Sequence, residues 1–227
     1  MKQHRNSFTF FLILISFLPF VQKARSQTIL LDPPEIYIGP NFGLTASRVL
    51  FNPKVQQTFF WGYNGGITFR YVSEEHFGFQ VEANYSQRGW NEEGNVYARR
   101  LDYLEIPFLT HAYLGEKNRL FFNIGPKLGY LLDETVLNDD GGDTNAEQRV
   151  KPADFKFDYG ITVGLGYNLK TRKAGIFQFE LRGNYGLSDI FANQKSDFFD
   201  NSNYLNISAN IGWLFQLTGK KNPDMNE

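Results

Sequence analysis

Glu105 and His111 stand six residues apart in YLEIPFLTHAYLG (residues 103–115), inside an otherwise apolar run. A carboxylate and an imidazole are the raw material of acid–base chemistry, and a lipid-modifying hydrolase would add a serine or a second acid to the histidine. No serine is assigned beside His111 by the sequence, and the other histidine beyond the leader, His76, falls in the polar turn SEEH (73–76) as a solvated residue. NDDGGD (138–143) gathers carboxylates as calcium loops do. It lacks their alternating acids and closing glutamate, so a solvated loop is the reading. GITVGLGYN (160–168) has closely spaced glycines without the lysine of a phosphate-binding loop. No catalytic residue, metal ligand or cofactor is therefore expected, and a lipid-modifying enzyme built on His111 is the remotest alternative.

The elements that must hold these residues show a period of two. In FFWGYNGGITFRY, the residues Phe59, Trp61, Tyr63, Ile67, Phe69 and Tyr71 alternate with Gly62, Asn64, Gly66, Thr68 and Arg70. The same split runs through FGFQVEANYSQRGW, FKFDYGITVGLGYNL, IFQFELRGNYGLS, LNISANIGWLFQL and EIYIGPNFGLT. With YLEIPFLTHAYL and RLFFNIGPKLGYLL these make eight strands. Short connections at 73–76, 115–118 and 170–175 alternate with long ones at 46–58, 89–99, 133–154 and 189–203. The 133–154 connection is acidic and glycine-rich, which predicts a mobile loop.

An eight-stranded barrel can be soluble, with its apolar face inward, or membrane-spanning, with the faces exchanged. Here the polar face is mostly Gly, Asn, Gln, Ser and Thr, too poor in charge for a water-facing exterior. The apolar face is nearly uninterrupted, with aromatics near strand ends as interfacial girdles require. The sequence predicts an all-β, eight-stranded antiparallel transmembrane barrel, an up-and-down meander with a filled polar lumen, whose termini lie on the short-turn, periplasmic side.

On that reading Tyr103, Glu105, Pro107, Leu109 and His111 face the lumen, while Leu104, Ile106, Phe108 and Ala112 face lipid. The inward charges are Arg70, Arg88, Lys127, Lys156 and Arg182 against Glu82, Glu105, Asp158 and Glu180. Unpaired charge in a filled lumen is costly, so these nine residues are expected to form a salt-bridge network. Glu82, Glu105 and Lys127, on adjacent strands, are its expected nucleus. Pro107 cannot donate to a ladder and is expected at a bulge.

Bulk features agree with export. The 227-residue chain has no cysteine, which excludes disulfides and thiolate metal sites. Residues 1–26 read as a signal peptide, with the basic MKQHR, a 14-residue apolar run from Phe8 to Val21, and Ala24-Arg25-Ser26 before a cut at Gln27. Without the leader's four cations, 19 basic residues face 24 acidic ones, a net of −5, and no nucleic-acid partner is expected. The barrel then covers 27–217 and a polar periplasmic tail 218–227.

RRLDYLEIPFLTHAYLG followed by RLFFNIGPKLGYLL resembles the PorT-like outer-membrane β-barrel family of Bacteroidetes. The matching residues are Tyr103, Leu104, Glu105, Ile106 and Pro107 on one strand, and Gly125, Pro126, Gly129 and Tyr130 through Leu132 on the next. The resemblance implies a bacterial outer-membrane location, and for some members an accessory role in protein secretion. The expectation is a monomeric, non-enzymatic barrel with a structural or interaction role. Its partners would be outer-membrane lipid, lipopolysaccharide, and envelope or secretion proteins met through the loops. A narrow pore or small-molecule-binding barrel is the alternative.

Overall fold

The computed structural model describes residues 34–116, 118–140, 146–171, 174–192 and 199–219. The expected signal peptide and the end of the expected tail lie outside these residues. The strands are β1 (Glu35–Asn52), β2 (Gln57–Thr58), β3 (Phe60–Val72), β4 (Phe77–Glu92), β5 (Tyr97–Leu114), β6 (Asn118–Asp139), β7 (Phe157–Lys170), β8 (Ile176–Asp189) and β9 (Asn201–Thr218). Each long strand pairs antiparallel with its chain neighbours, and β1 pairs with β9, so eight strands close into a ring without an edge. The two-residue β2 extends that wall by pairing Gln57 with Glu92 and Thr58 with Asn91.

Alternation fixes the faces. Leu44, Trp61, Ile67, Phe79, Leu120, Leu165, Leu181 and Ile211 are exposed, while Arg70, Gln80, Glu82, Arg88, Asn123, Lys127 and Thr162 are buried. A register slip of one residue would exchange the two sets. Polar residues thus line the inside and apolar ones the outside, as the sequence predicts.

Three features differ from the expectations. The strands run further into the long connections than predicted: β1 reaches Asn52, β4 reaches Glu92, β5 starts at Tyr97, β6 reaches Asp139 and β9 starts at Asn201. The 89–99 connection shrinks to one 3-10 turn, Glu93–Asn95, whose left-handed Gly94 (φ 80°) and Asn95 (φ 58°) reverse the chain. Pro107 marks no bulge. It pairs with Lys127 in a register unbroken to Thr110↔Ile124, and the ladder to β4 only lapses between Val81↔Phe108 and Asn84↔Glu105. The register shifts of the β5–β6 pair fall instead at Ala98/Arg99 and Asp102/Tyr103.

One seam of the wall is irregular. The β3–β4 ladder stops at Asn64↔Ser86 and pairing resumes only at Thr58↔Asn91. Between them, inward hydroxyls of β1 hold β4: Thr45 Oγ1 donates to the Gln87 carbonyl at 3.0 Å, and Ser47 Oγ bonds both the N–H and the carbonyl of Gly89 at 3.0 and 3.1 Å. Gly62 allows this approach, because a Cβ there would stand 2.8 Å from the Gln87 carbonyl oxygen.

Candidate functional site

The lumen is filled in four layers. At the short-turn end Tyr37, Val72, Tyr113, Phe121, Ile176 and Leu214 pack together. Glu35, hydrogen-bonded by the Tyr37 hydroxyl at 2.7 Å, pairs there with Arg119 at 3.5 Å and Lys170 at 3.4 Å.

Above them lies a first ionic group. Arg182 forks onto Glu82 through two hydrogen bonds of 2.7 Å and reaches Glu180 at 2.7 Å. The strands β4 and β8 that carry Glu82 and Arg182 are diametrically opposed in the ring, so this pair spans the lumen. Arg70 meets no carboxylate directly. Its Nε donates to Gln80 at 2.8 Å, and a second donor reaches Gln178. These amides pass the charge on, since Gln178 Nε2 donates to Glu180 at 2.9 Å and Gln80 Nε2 donates to Glu82. Gly164 makes room for the group, because a Cβ there would lie 2.0 Å from Glu180 Oε1.

A second ionic group follows. Arg88 pairs with Glu105 and, at 2.7 Å, with Asp158. Lys127 lies 3.3 Å from Glu105 and 3.9 Å from Asp158. Each group holds two cations and two anions and is neutral, which is how buried charge becomes tolerable. The expected nucleus is therefore split: Glu105 and Lys127 meet, whereas Glu82 belongs with Arg182. Lys156 joins neither group. It stands one residue before β7 and is exposed.

The fourth layer closes the long-loop end. Val49, Phe51, Trp90, Tyr97, Leu101, Tyr103, Leu131, Ile190, Phe191, Phe199 and Tyr204 form an apolar plug. Aromatic faces join the layers by cation–π contact. The Arg88 guanidinium lies 4.4 Å from the Tyr103 ring centroid, and that of Arg70 5.7 Å from the Phe121 centroid. The sequence reading missed this plug, although its signal was present. Trp90 shares the phase of Arg88, and Tyr103 and Leu101 share that of Glu105, so apolar residues take over the polar phase where the strands leave the membrane.

Over the plug sits the segment predicted to be mobile. Residues 133–139 belong to β6, 141–145 lie outside the described residues, and 146–156 are tied down. Glu92 receives Gln148 Nε2 at 3.1 Å and Arg149 Nη2 at 2.6 Å from the short helix Glu147–Val150. Arg99 donates to the carbonyls of Gln148 (3.1 Å) and Lys151 (2.7 Å), and the Ala153 N–H donates to Glu134 at 3.1 Å. Asp154 accepts the Ala192 N–H at 2.7 Å and pairs with Lys151 at 2.9 Å, joining two loops. The Glu92 hydrogen bond holds the Arg149 guanidinium above its ordinary pKa, against the pull of burial. Burial alone would raise Asp154, but the Ala192 N–H and Lys151 together keep it below the usual carboxylate value.

His111 is buried, with Nδ1 2.7 Å from Asn123 Oδ1 and its ring against Phe121. Asn123 Nδ2 in turn donates to Glu180 at 2.9 Å. The histidine is thus tied into the first ionic group, and among the described residues no serine hydroxyl contacts it. His76 is exposed in its turn, edge-on to Tyr113.

The family model for the outer membrane protein beta-barrel domain matches residues 20–192, which is 173 of the 227 residues. The chain belongs to this outer-membrane β-barrel family. Comparison with curated proteins gives no match. Among solved structures, OprG of Pseudomonas aeruginosa is similar with a TM-score of 0.52 at 12% identity, covering 82% of this chain and 97% of OprG. Neisserial surface protein A aligns at 12% identity over 81% of this chain and 100% of its own, with a TM-score of 0.45. Outer membrane protein W of E. coli aligns at 14% identity over 81% and 99%, with a TM-score of 0.42. The exposed apolar belt of this outer-membrane barrel is its lipid face. Outer-membrane barrels carry their short turns on the periplasmic side, which is the expectation for the short-turn end here.

Proposed function

We propose that this outer-membrane barrel is a non-enzymatic structural or interaction protein that acts through its extracellular loops and assists envelope assembly or protein secretion. The observation that carries the reading is the filled lumen: two neutral ionic groups stand between two apolar layers, with an anchored loop above. Eight strands leave an interior just wide enough for side chains. The PorT-like motif at Tyr103–Pro107 and Gly125–Tyr130 supports a Bacteroidetes envelope role. Export through a cleaved leader at residues 1–26 is part of the same reading. The loops present apolar residues for a partner on hydrogen-bonded backbone, Val150 at 63% and Phe155 at 49% exposure.

Two measurements on the full-length protein test it. Reconstituted in planar bilayers, the barrel should pass no steady current. A photo-crosslinker placed at Val150 or Phe155 in cells should capture a discrete envelope protein. Stable unitary conductance would replace this reading with that of a narrow pore.

A further inference from the structure

Among the described residues, every cation that is buried or partly buried has an acid or an amide for a partner, except one. Arg70 has Gln80 and Gln178, Arg100 has Asp102 at 3.1 Å, and the lumen and loop cations are paired as above. Arg48 has no acceptor. Its Nε is buried and unbonded, and its guanidinium carbon lies 5.7 Å from the Phe59 ring centroid. One donor of the guanidinium is withdrawn from the surface and unbonded, and the half-buried group has no acceptor among the described residues, which leaves it open to an acceptor outside the protein.

The surroundings say what that acceptor is. Arg48 lies on the outward face of β1, in phase with Phe42, Leu44 and Ala46, whereas Thr45, Ser47 and Val49 are buried. It therefore stands near the long-loop end of the lipid-facing ridge of its strand, with only Leu50 and Asn52 beyond it in the same phase. Just beneath it, Ala46 has as its lateral partners Trp61 on β3 and Ile207 on β9, which are 71% and 51% exposed. A small residue between two large ones leaves a local notch at Ala46, floored on the same strand by the exposed Leu44, and the exposed indole marks the interfacial depth. Lys54, in the loop that follows β1, is exposed and also has no acidic partner among the described residues, and the acid of that corner, Asp200, is engaged by Asn52 at 3.3 Å. A forked guanidinium above an apolar notch at the membrane surface, with the exposed Lys54 in the loop that follows the same strand, matches a phosphate carried on an acyl chain.

We propose that Arg48, assisted by Lys54, binds a phosphate of an anionic lipid of the outer leaflet, with an acyl chain lying over Ala46 between Trp61 and Ile207. This site sits on the outer wall and is independent of the loop-partner reading.

The test compares the full-length barrel in phosphatidylcholine nanodiscs with and without lipid A, reading the unfolding temperature against lipid A content. Lipid A should raise the unfolding temperature of the wild type. In R48Q/K54Q the lipid A needed for half the rise should increase about tenfold, the scale expected for loss of a charge-assisted fork. Each variant is read against its own phosphatidylcholine baseline, so a change in intrinsic stability does not enter. Lys156→Gln, which removes an exposed cation without an acid partner among the described residues, three strands away at the same end, should respond as the wild type, and dephosphorylated lipid A should give no rise. A wild-type response in R48Q/K54Q overturns the site. So does an equal loss in K156Q, which would mean general surface charge. A rise reproduced by inorganic phosphate alone would overturn the lipid as its source.

Discussion

Replacing Glu105 with Gln removes one charge from the second ionic group at almost constant volume. Glu105 is 6% exposed, paired with Arg88 and 3.3 Å from Lys127. At an effective dielectric of about 20, the Lys127 pair alone corresponds to about 5 kcal/mol of Coulomb energy. Two effects reduce this. The glutamine oxygen still accepts a hydrogen bond, and Asp158 remains 2.7 Å from Arg88 and 3.9 Å from Lys127. What remains is a net positive charge held out of water, so the loss should be about 3 kcal/mol, within the range for one partner removed from a buried pair. Equilibrium urea unfolding of the barrel refolded in phospholipid vesicles measures it, with K156Q as the exposed control expected within about 0.5 kcal/mol of wild type. Membrane insertion should persist in both. E105Q/K127M, which restores neutrality, should be more stable than E105Q alone. If E105Q unfolds with the control, the charge is not held as described and the argument from buried pairing fails.

Arg182→Met should be more damaging than E105Q, because it strands two buried carboxylates at once; the heat-shifted band of the folded barrel on unboiled gels should be largely lost, and E82Q in the same chain should restore part of it. Glu92→Gln removes the carboxylate that receives Arg149, so trypsin applied to intact cells should cut after Arg149 much faster than in the wild type, whereas Lys151 is followed by Pro152 and stays resistant in both. Asp154 has a lowered folded pKa, so its contribution to joining the two loops is complete at neutral pH and is lost only as the pH falls below the ordinary carboxylate value toward the folded one. Amide exchange at Ala192 should therefore stay slow through mild acid and quicken relative to core amides only at the acid end.

The faces of the barrel were legible because a strand exposes alternate residues to opposite solvents, and lipid and lumen demand unlike side chains. Arg70, Glu82 and Arg182 could be assigned inward from phase alone. Their partners could not, because which charges meet depends on ring closure and strand tilt: Glu82 finds Arg182 on the strand farthest from it in the ring. Lys156 kept the right phase but lay past the point where the strand begins. Pro107 suggested a bulge because its missing donor is a local fact, while the register on both sides is held by long ladders. The apolar plug was hidden because the segments supplying Trp90, Tyr97 and Phe191 read as polar loops, and their apolar residues take the inward phase only once the strands are extended.

The pairing of Glu82 with Arg182 has a consequence for assembly. A sheet grown hairpin by hairpin from the amino-terminal side would carry Glu82 through β4, β5, β6 and β7 with the amides of Gln80 and Asn84 as its direct partners and Arg70 reached only through Gln80. Its counter-charge arrives with the next-to-last strand, and the wall shuts only when β9 meets β1. A partly built sheet thus has an anion that must stay hydrated until the ring is nearly complete. Release into the bilayer and neutralisation of the interior become one late event, which a chain lacking β8 and β9 could not reach.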